Sequence, residues 1–339
     1  YVQQAHQSTQ VGRVILCAMI WIRVDFQAMD RVATMSKKGT HSYVDDPRNN
    51  DVLIYINGQY FKRSEARISV FDSGFLLGDG VWEGVRFTEG SFIFLDEHVD
   101  RIYSGADSLS IDIGLSKDKL IELLYEVMSK NDMSSDIHIR LIVTRGLKKT
   151  PYQHPNANVG SASIVIIPEY KVADKKVNNS GIALSLVKTI RSTKEILDPR
   201  INSLSKLNCI LACIEADNMN VDEGLMLDIN GYVSTCNSTN FFMIKNNEVW
   251  TSTGDYCLNG VTRGKVIEIC KRDSINIKQK DFRIEDVYDA DEAFVTGTFA
   301  GIIPVVKIDS NILSNGAIGP LTSQLQSKYQ ALIKTQIKS

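Results

Sequence analysis

Two short stretches carry the residues best suited to hold an anion. Gly260-Val261-Thr262-Arg263-Gly264 runs into the apolar stripe Val266, Ile267, Ile269 and Cys270. That helical spacing puts the free amides of Val261 and Thr262 at a helix N-terminus, where negative charge is favoured. Further along, Asp291-Glu292-Ala293-Phe294-Val295-Thr296-Gly297-Thr298 reads as an apolar strand ending at Thr298, whose hydroxyl and amide can close on the anion from the other side. Either stretch alone suits an ordinary helix cap or strand-end turn. Together they predict a phosphate cradle.

The elements that must position this cradle are legible along the chain. Val52-Leu53-Ile54-Tyr55-Ile56, Asn57-Gly58 and Gln59 to Lys62 form a hairpin signal, and Val81 to Phe87 with Phe92 to Leu95 around Glu89-Gly90 form a second. Asp96 can cap a helix with the apolar face Val99, Ile102, Ala106 and Leu109, and Ser116 one with Leu120, Leu123, Leu124 and Val127. Strands follow at Ile137 to Thr144 and Ser161 to Pro168, giving an α+β first domain. Residues 171–180 are polar and aperiodic, as a linker would be. Beyond them come a helix near Leu204 to Asn218, strands at Glu223 to Asp228, Tyr232 to Thr235 and Phe241 to Val249, and a closing amphipathic helix, Leu321 to Ile333.

At 339 residues with 43% hydrophobic content, the chain can bury a sizeable core. Lys plus Arg (38) nearly balances Asp plus Glu (40), so no electrostatic footprint for nucleic acid or an anionic membrane is present, and a small-molecule partner is expected. Six cysteines lack zinc spacing, and no metal site is expected; Cys209 and Cys213, four apart on a helix, have no histidine beside them. Thiols in apolar segments suit a reduced, cytoplasmic protein. Two short N-x-S/T patterns, at Asn178 and Asn237, carry little weight. The apolar run Val14 to Ile22 is too short to span a membrane. Residues 1–50 are expected to be a disordered extension, with the start at Tyr1 ahead of Met35 pointing to an upstream translated region or a weak targeting sequence on a truncated start. Gly78-Asp79-Gly80 and Gly84 have the wrong spacing for a dinucleotide loop.

The ordered set Gly80-Val81-Trp82-Glu83-Gly84-Val85-Arg86, Phe94 to Arg101, Arg140 to Gly146, Asp222 to Asp228, Gly260 to Gly264 and Ala290 to Thr298 with Pro304-Val305 resembles the class IV pyridoxal-phosphate aminotransferases. That family holds branched-chain and D-amino-acid aminotransferases and aminodeoxychorismate lyase. The resemblance covers roughly residues 52–335. It implies a two-domain fold type IV enzyme, with a small N-terminal domain (51–170) and a larger cofactor-binding domain with a barrel-like sheet (181–335), working as a homodimer. By that resemblance Arg101, Val261, Thr262 and Thr298 would hold the phosphate of pyridoxal 5'-phosphate, a role a planar guanidinium suits. Arg140 and the loop reaching His154 would face the substrate, and amides near Phe299 and Ala300 would hold its carboxylate. His138 and His154 equally suit surface or satisfied core histidines.

Two positions depart from the family pattern. Transamination needs a lysine that forms a Schiff base with the cofactor aldehyde. In the matching stretch Arg200-Ile201-Asn202-Ser203-Leu204-Ser205-Lys206-Leu207-Asn208 the lysine position holds Asn202. An amide cannot form an imine, so Lys206, one helical turn on, is the candidate amine, against the alternative of a solvated helix-start lysine. Where the family places a glutamate against the pyridine nitrogen, Gly231-Tyr232-Val233-Ser234-Thr235 puts Thr235, a neutral hydroxyl that cannot stabilise a protonated ring nitrogen by charge. The function expected is transfer of an amino group between an amino acid of branched-chain or D-type and a 2-oxo acid. The alternatives are a lyase of the aminodeoxychorismate type and a cofactor-binding pseudoenzyme.

Overall fold

The structure is a computed structural model that describes residues 39–337. The chain opens with two antiparallel strands, β1 (Leu53–Ile56) and β2 (Gln59–Lys62). Their turn residues Asn57 and Gly58 both have positive φ (48° and 88°), as a tight hairpin matched to the strand twist requires. A short helix α1 (Ser73–Leu77) leads to β3 (Gly80–Thr88) and β4 (Ser91–Phe92), helices α2 (Leu95–Ser108) and α3 (Lys117–Lys130), then β5 (Ile137–Thr144). A small ribbon, β6 (Leu147–Lys148) with β7 (Asn158–Val159), precedes β8 (Ser163–Tyr170). The first sheet has the order β2-β1-β8-β5-β3-β4, antiparallel throughout.

Alternation on this sheet sorts its two faces. Val81, Val85 and Phe87 of β3 and Ile137, Ile139, Leu141 and Val143 of β5 pack with Ile102, Ala106, Leu120, Leu124 and Val127 of α2 and α3. Trp82 and Gly84, in register with Ile142 and Arg140, take the opposite face with His138. Ser116 caps α3 by accepting from Lys119 N at 3.3 Å. Helix α2 begins one residue before the expected Asp96 cap, with Phe94 at its N-cap in a left-handed conformation and no side-chain bond.

The second sheet is built from β9 (Ile182–Leu186), β10 (Glu223–Leu227), β11 (Val233–Cys236), β12 (Asn240–Lys245), β13 (Glu248–Thr251), β14 (Ile277–Gln279), β15 (Glu292–Gly297), β16 (Gly301–Ile308) and β17 (Asn311–Ile312). Its helices are α4 (Lys175–Ser180), α5 (Lys194–Leu197), α6 (Leu207–Asn218), α7 (Val261–Arg272), α8 (Ile284–Tyr288) and α9 (Pro320–Lys334). The strand order is β11-β10-β9-β16-β15-β12-β13-β14, with β17 on β16. Strand β11 lies at one edge and β12 well inside the sheet, yet only residues 237–239 join them. The Cα steps across that link reach about 15 Å at most, whereas the intervening strand spacings of a flat sheet would cover about 24 Å. The sheet therefore curls, and Cys236 N donates to Thr239 O at 2.9 Å where its edge comes round. Both faces are apolar: Phe241 and Met243 point into the curl with Leu184, Leu225 and Val295, and Phe242 and Ile244 face α7 and α9 through Val266, Cys270 and Leu325.

Two sequence expectations are corrected. Residues 39–50, counted with the extension, are part of the fold: Thr40 is buried, Tyr43 bridges to Ala173, and a single helical turn, Pro47–Asp51, is capped by Asp46. The remainder of that extension, with its apolar run, lies outside the described residues. The expected linker is not open chain, because Asp174 accepts from Lys176 N at 2.9 Å and starts α4. No helix of the described residues is long and apolar enough to cross a membrane.

Candidate functional site

The two sheets share one cavity of about 110 Å³. Trp82, Gly84, His138 and Arg140 line it from the first sheet; Asn240, Thr296, Thr298, Phe299 and Ala300 from the second; Arg101 from α2; and Gly260, Val261 and Thr262 from the start of α7. Thr40, His41, Asn202 and Thr239 also line it.

The two stretches expected to hold an anion meet at this cavity, through Gly260, Val261 and Thr262 on one side and Thr298 on the other. Gly260 is the N-cap of α7 and provides no side-chain acceptor, and the first helical bond is Gly264 N to Gly260 O at 2.9 Å. The amides of the first turn are therefore left for an external partner. A Cβ on Gly260 would lie 2.2 Å from Asn240 Oδ1, so glycine is required here by close approach. The Thr262 hydroxyl sits 3.3 Å from Tyr329 Oη. Arg263, the next residue of the motif, faces away and binds Ser252 O at 2.6 Å.

Arg101 is aimed by a buried carboxylate. Its Nε and Nη2 each lie 2.7 Å from an oxygen of Glu83, and His98 Nδ1 lies 2.7 Å from Glu83 Oε2. Burial pushes the Glu83 pKa up, but the Arg101 charge and the bonds from His98 and Arg101 outweigh it and leave the carboxyl below its usual range. Arg101 Nη1 reaches across to Asn259 O at 3.1 Å, just before the α7 cradle.

On the other side of the cavity Arg140 stacks on the Trp82 ring, 3.7 Å from its centroid. His138 meets the Phe299 ring edge-on at 5.5 Å. Burial first, then the Lys171 and Arg140 charges, lower the His138 pKa to about 3, so the ring is neutral near pH 7. Among the described residues, the buried His138 Nδ1 and Thr296 Oγ1 have no hydrogen-bond partner. Unpaired buried polar atoms on a cavity wall are costly unless something binds there.

Lys206 is not on the wall of this cavity but meets two residues that are: its Nζ lies 3.1 Å from Asn202 Oδ1 and 5.2 Å from the Trp82 ring centroid. Burial lowers its pKa to about 8; Cys209 opposes this, and the Arg191, Arg101 and Arg140 charges add to it.

The structure brings Arg101, Arg140, Val261, Thr262, Thr298, Phe299 and Ala300 together, and leaves three sequence candidates off the wall: Lys206, Thr235 and His154. Thr235 is behind the wall, its hydroxyl donating to Thr239 O at 2.7 Å, with Thr239 lining the cavity in its place. His154 is exposed at a helical turn, where its Nδ1 accepts from Asn156 N at 3.1 Å, and it does not line this cavity. Thr40, His41, Asn240 and Thr296 went unnoticed in the sequence. Thr40 and Thr239 both donate to Glu223, a buried carboxyl whose pKa burial raises to about 6.

Known proteins resemble this chain in sequence and fold. The family description "Amino-transferase class IV" matches residues 80–308. The branched-chain-amino-acid aminotransferase-like protein 2 of Arabidopsis thaliana is 37% identical over 288 residues, 84% of this chain and 51% of that protein. This chain thus spans about half the length of that relative. The D-alanine aminotransferase of Listeria monocytogenes is 31% identical over 282 residues, 81% of this chain and 94% of that protein. The crystal structure of the Escherichia coli branched-chain amino acid aminotransferase superposes with a TM-score of 0.79 at 25% identity, covering 85% of this chain and 97% of that one. A cradle at α7, an arginine fixed by a buried glutamate and a curled sheet behind them, together with these matches, make the chain a member of the class IV aminotransferase family.

Proposed function

We propose that the chain holds pyridoxal 5'-phosphate in the cavity between its sheets and moves an amino group between an amino acid and a 2-oxo acid. One observation carries the reading: donors for a dianion converge there, from the Arg101 guanidinium, the free first-turn amides of α7 at Val261 and Thr262, and Thr298. When bound, the cofactor supplies the electron-accepting ring and the aldehyde that amino-group transfer needs.

In this reading Lys206 provides the amine. With its pKa lowered to about 8, a useful fraction of Nζ is unprotonated near neutral pH and can take up or release a proton. Arg140 orients the substrate from the Trp82 face, and the backbone at Phe299 and Ala300 holds its carboxylate. A second copy of the chain is assigned to the exposed apolar face of α6, where Leu207 is 66%, Ile210 50% and Ile214 52% exposed. Free, buried thiols at Cys236, Cys257 and Cys270 support a cytoplasmic setting.

Borohydride reduction of protein incubated with pyridoxal phosphate, followed by peptide mapping, tests the assignment. A pyridoxyl adduct on Lys206 and amino-acid turnover that depends on an added 2-oxo acid are expected. An adduct on another lysine moves the amine there. Retained cofactor with no adduct makes the chain a cofactor-binding protein, and failure to take up the cofactor overturns the reading.

A further inference from the structure

Asn202 stands where the family pattern has its lysine, and it is held more firmly than a residue that only fills space. The segment around it is stitched to β3: Trp82 N donates to Asn202 O at 3.0 Å and Leu204 N donates to Gly80 O at 2.9 Å, with Ser203 bridged to Val81 between them. The Asn202 side chain adds another bond, Nδ2 donating to Trp82 O at 2.7 Å. That bond fixes which way the amide faces, because a carbonyl oxygen accepts only from the NH2 end. Oδ1 is left aimed at Lys206 Nζ, 3.1 Å away.

Lys206 has somewhere else to go. Its side chain also lines a small adjoining cavity with Arg191, Asp198, Ser205 and Cys209, and a flexible four-carbon stem can move its head between the two. Asn202 lines the main cavity, Lys206 does not, and the Asn202 bond is the polar contact that connects them. We propose that Asn202 is a positioning residue that tethers the Lys206 amine to the wall of the main cavity. This rests on the assignment of Lys206 above as the reactive amine.

The chemistry favours an amide for this task. A carboxylate at the same place would hold the lysine as its ammonium form, whereas a neutral amide oxygen directs the nitrogen without fixing its charge.

The test has a readout that needs no cofactor. Reductive methylation of Lys206 across a pH series, read by peptide mass spectrometry, is compared between wild type and Asn202→Asp. The wild-type midpoint is expected near pH 8, and the variant's about 1 pH unit higher, because a charge now faces the amine. An unmoved midpoint overturns the tether.

In protein loaded with pyridoxal phosphate, Asn202→Leu is expected to reduce the borohydride-trapped adduct on Lys206 about ten-fold while phosphate affinity by equilibrium dialysis holds. Undiminished trapping in Asn202→Leu also overturns the tether. If wild type shows no adduct on Lys206 yet the midpoint moves in Asn202→Asp, the assignment of the reactive amine falls and the tether stands.

Discussion

Glu83 shows how a residue can serve the cavity without touching its contents: fully buried, it spends both oxygens on Arg101 and His98. His138 has the opposite problem, a buried ring atom with no partner among the described residues, and its titration gives a signed prediction. Its folded pKa is lowered from 6.5 to about 3, so between those values the unfolded chain binds the extra proton. The stability it contributes is present above pH 6.5 and is lost as pH falls toward 3, at up to about 1.4 kcal/mol per pH unit. Thermal unfolding of His138→Gln is therefore expected to depend less steeply on pH between 6.5 and 4 than that of wild type; parallel curves would count against a neutral buried ring. The place of Arg101 on the cavity wall was legible because its motif lies in the same ordered set. The placement of Thr235 was not, since the Thr239 carbonyl that takes its hydroxyl is set by the β11–β12 turn, and no pattern within one strand reveals that. His154 was assigned through its loop, whose course past the β6–β7 ribbon has no periodic signature.

At the level of elements, local chemistry read true and long-range geometry did not. Asn57-Gly58 and Glu89-Gly90 announced their hairpins, because positive φ at both turn residues is a local demand. The apolar stripe after Thr262 likewise announced α7. The curl of the second sheet was implied only by resemblance, because it follows from pairing of strands far apart in the chain. The polar stretch at 171–180 hid α4, whose cap by Asp174 outweighs the lack of an extended apolar face. The start of α7 offers the sharpest test of the cradle. Gly260→Ala would drive Cβ against Asn240 Oδ1, and Asn240 is itself held by Leu258 O at 2.8 Å. Affinity for pyridoxal phosphate, measured by equilibrium dialysis, is expected to drop about ten-fold or more with helical content unchanged. Undiminished affinity would place the anion elsewhere.

At the scale of the molecule, one exposed apolar face among the described residues stands out. Helix α6 buries only Ala212 and Ala216 and turns Leu207, Ile210, Leu211 and Ile214 outward. Ile210→Asp is expected to convert a dimer to monomer in sedimentation equilibrium at micromolar concentration, since a charge in an apolar contact costs several kcal/mol. A wild-type monomer would show that this face serves something else.

The anion cradle belongs to the second sheet and its α7, whereas the Asn202 segment hangs from the edge of β3 in the first. Any molecule gripped at one end by α7 and at the other by the amine beside Trp82 is consequently a rivet through both halves. Loading such a rivet would add to the bonds that already cross between the halves, Arg101 Nη1 to Asn259 O among them.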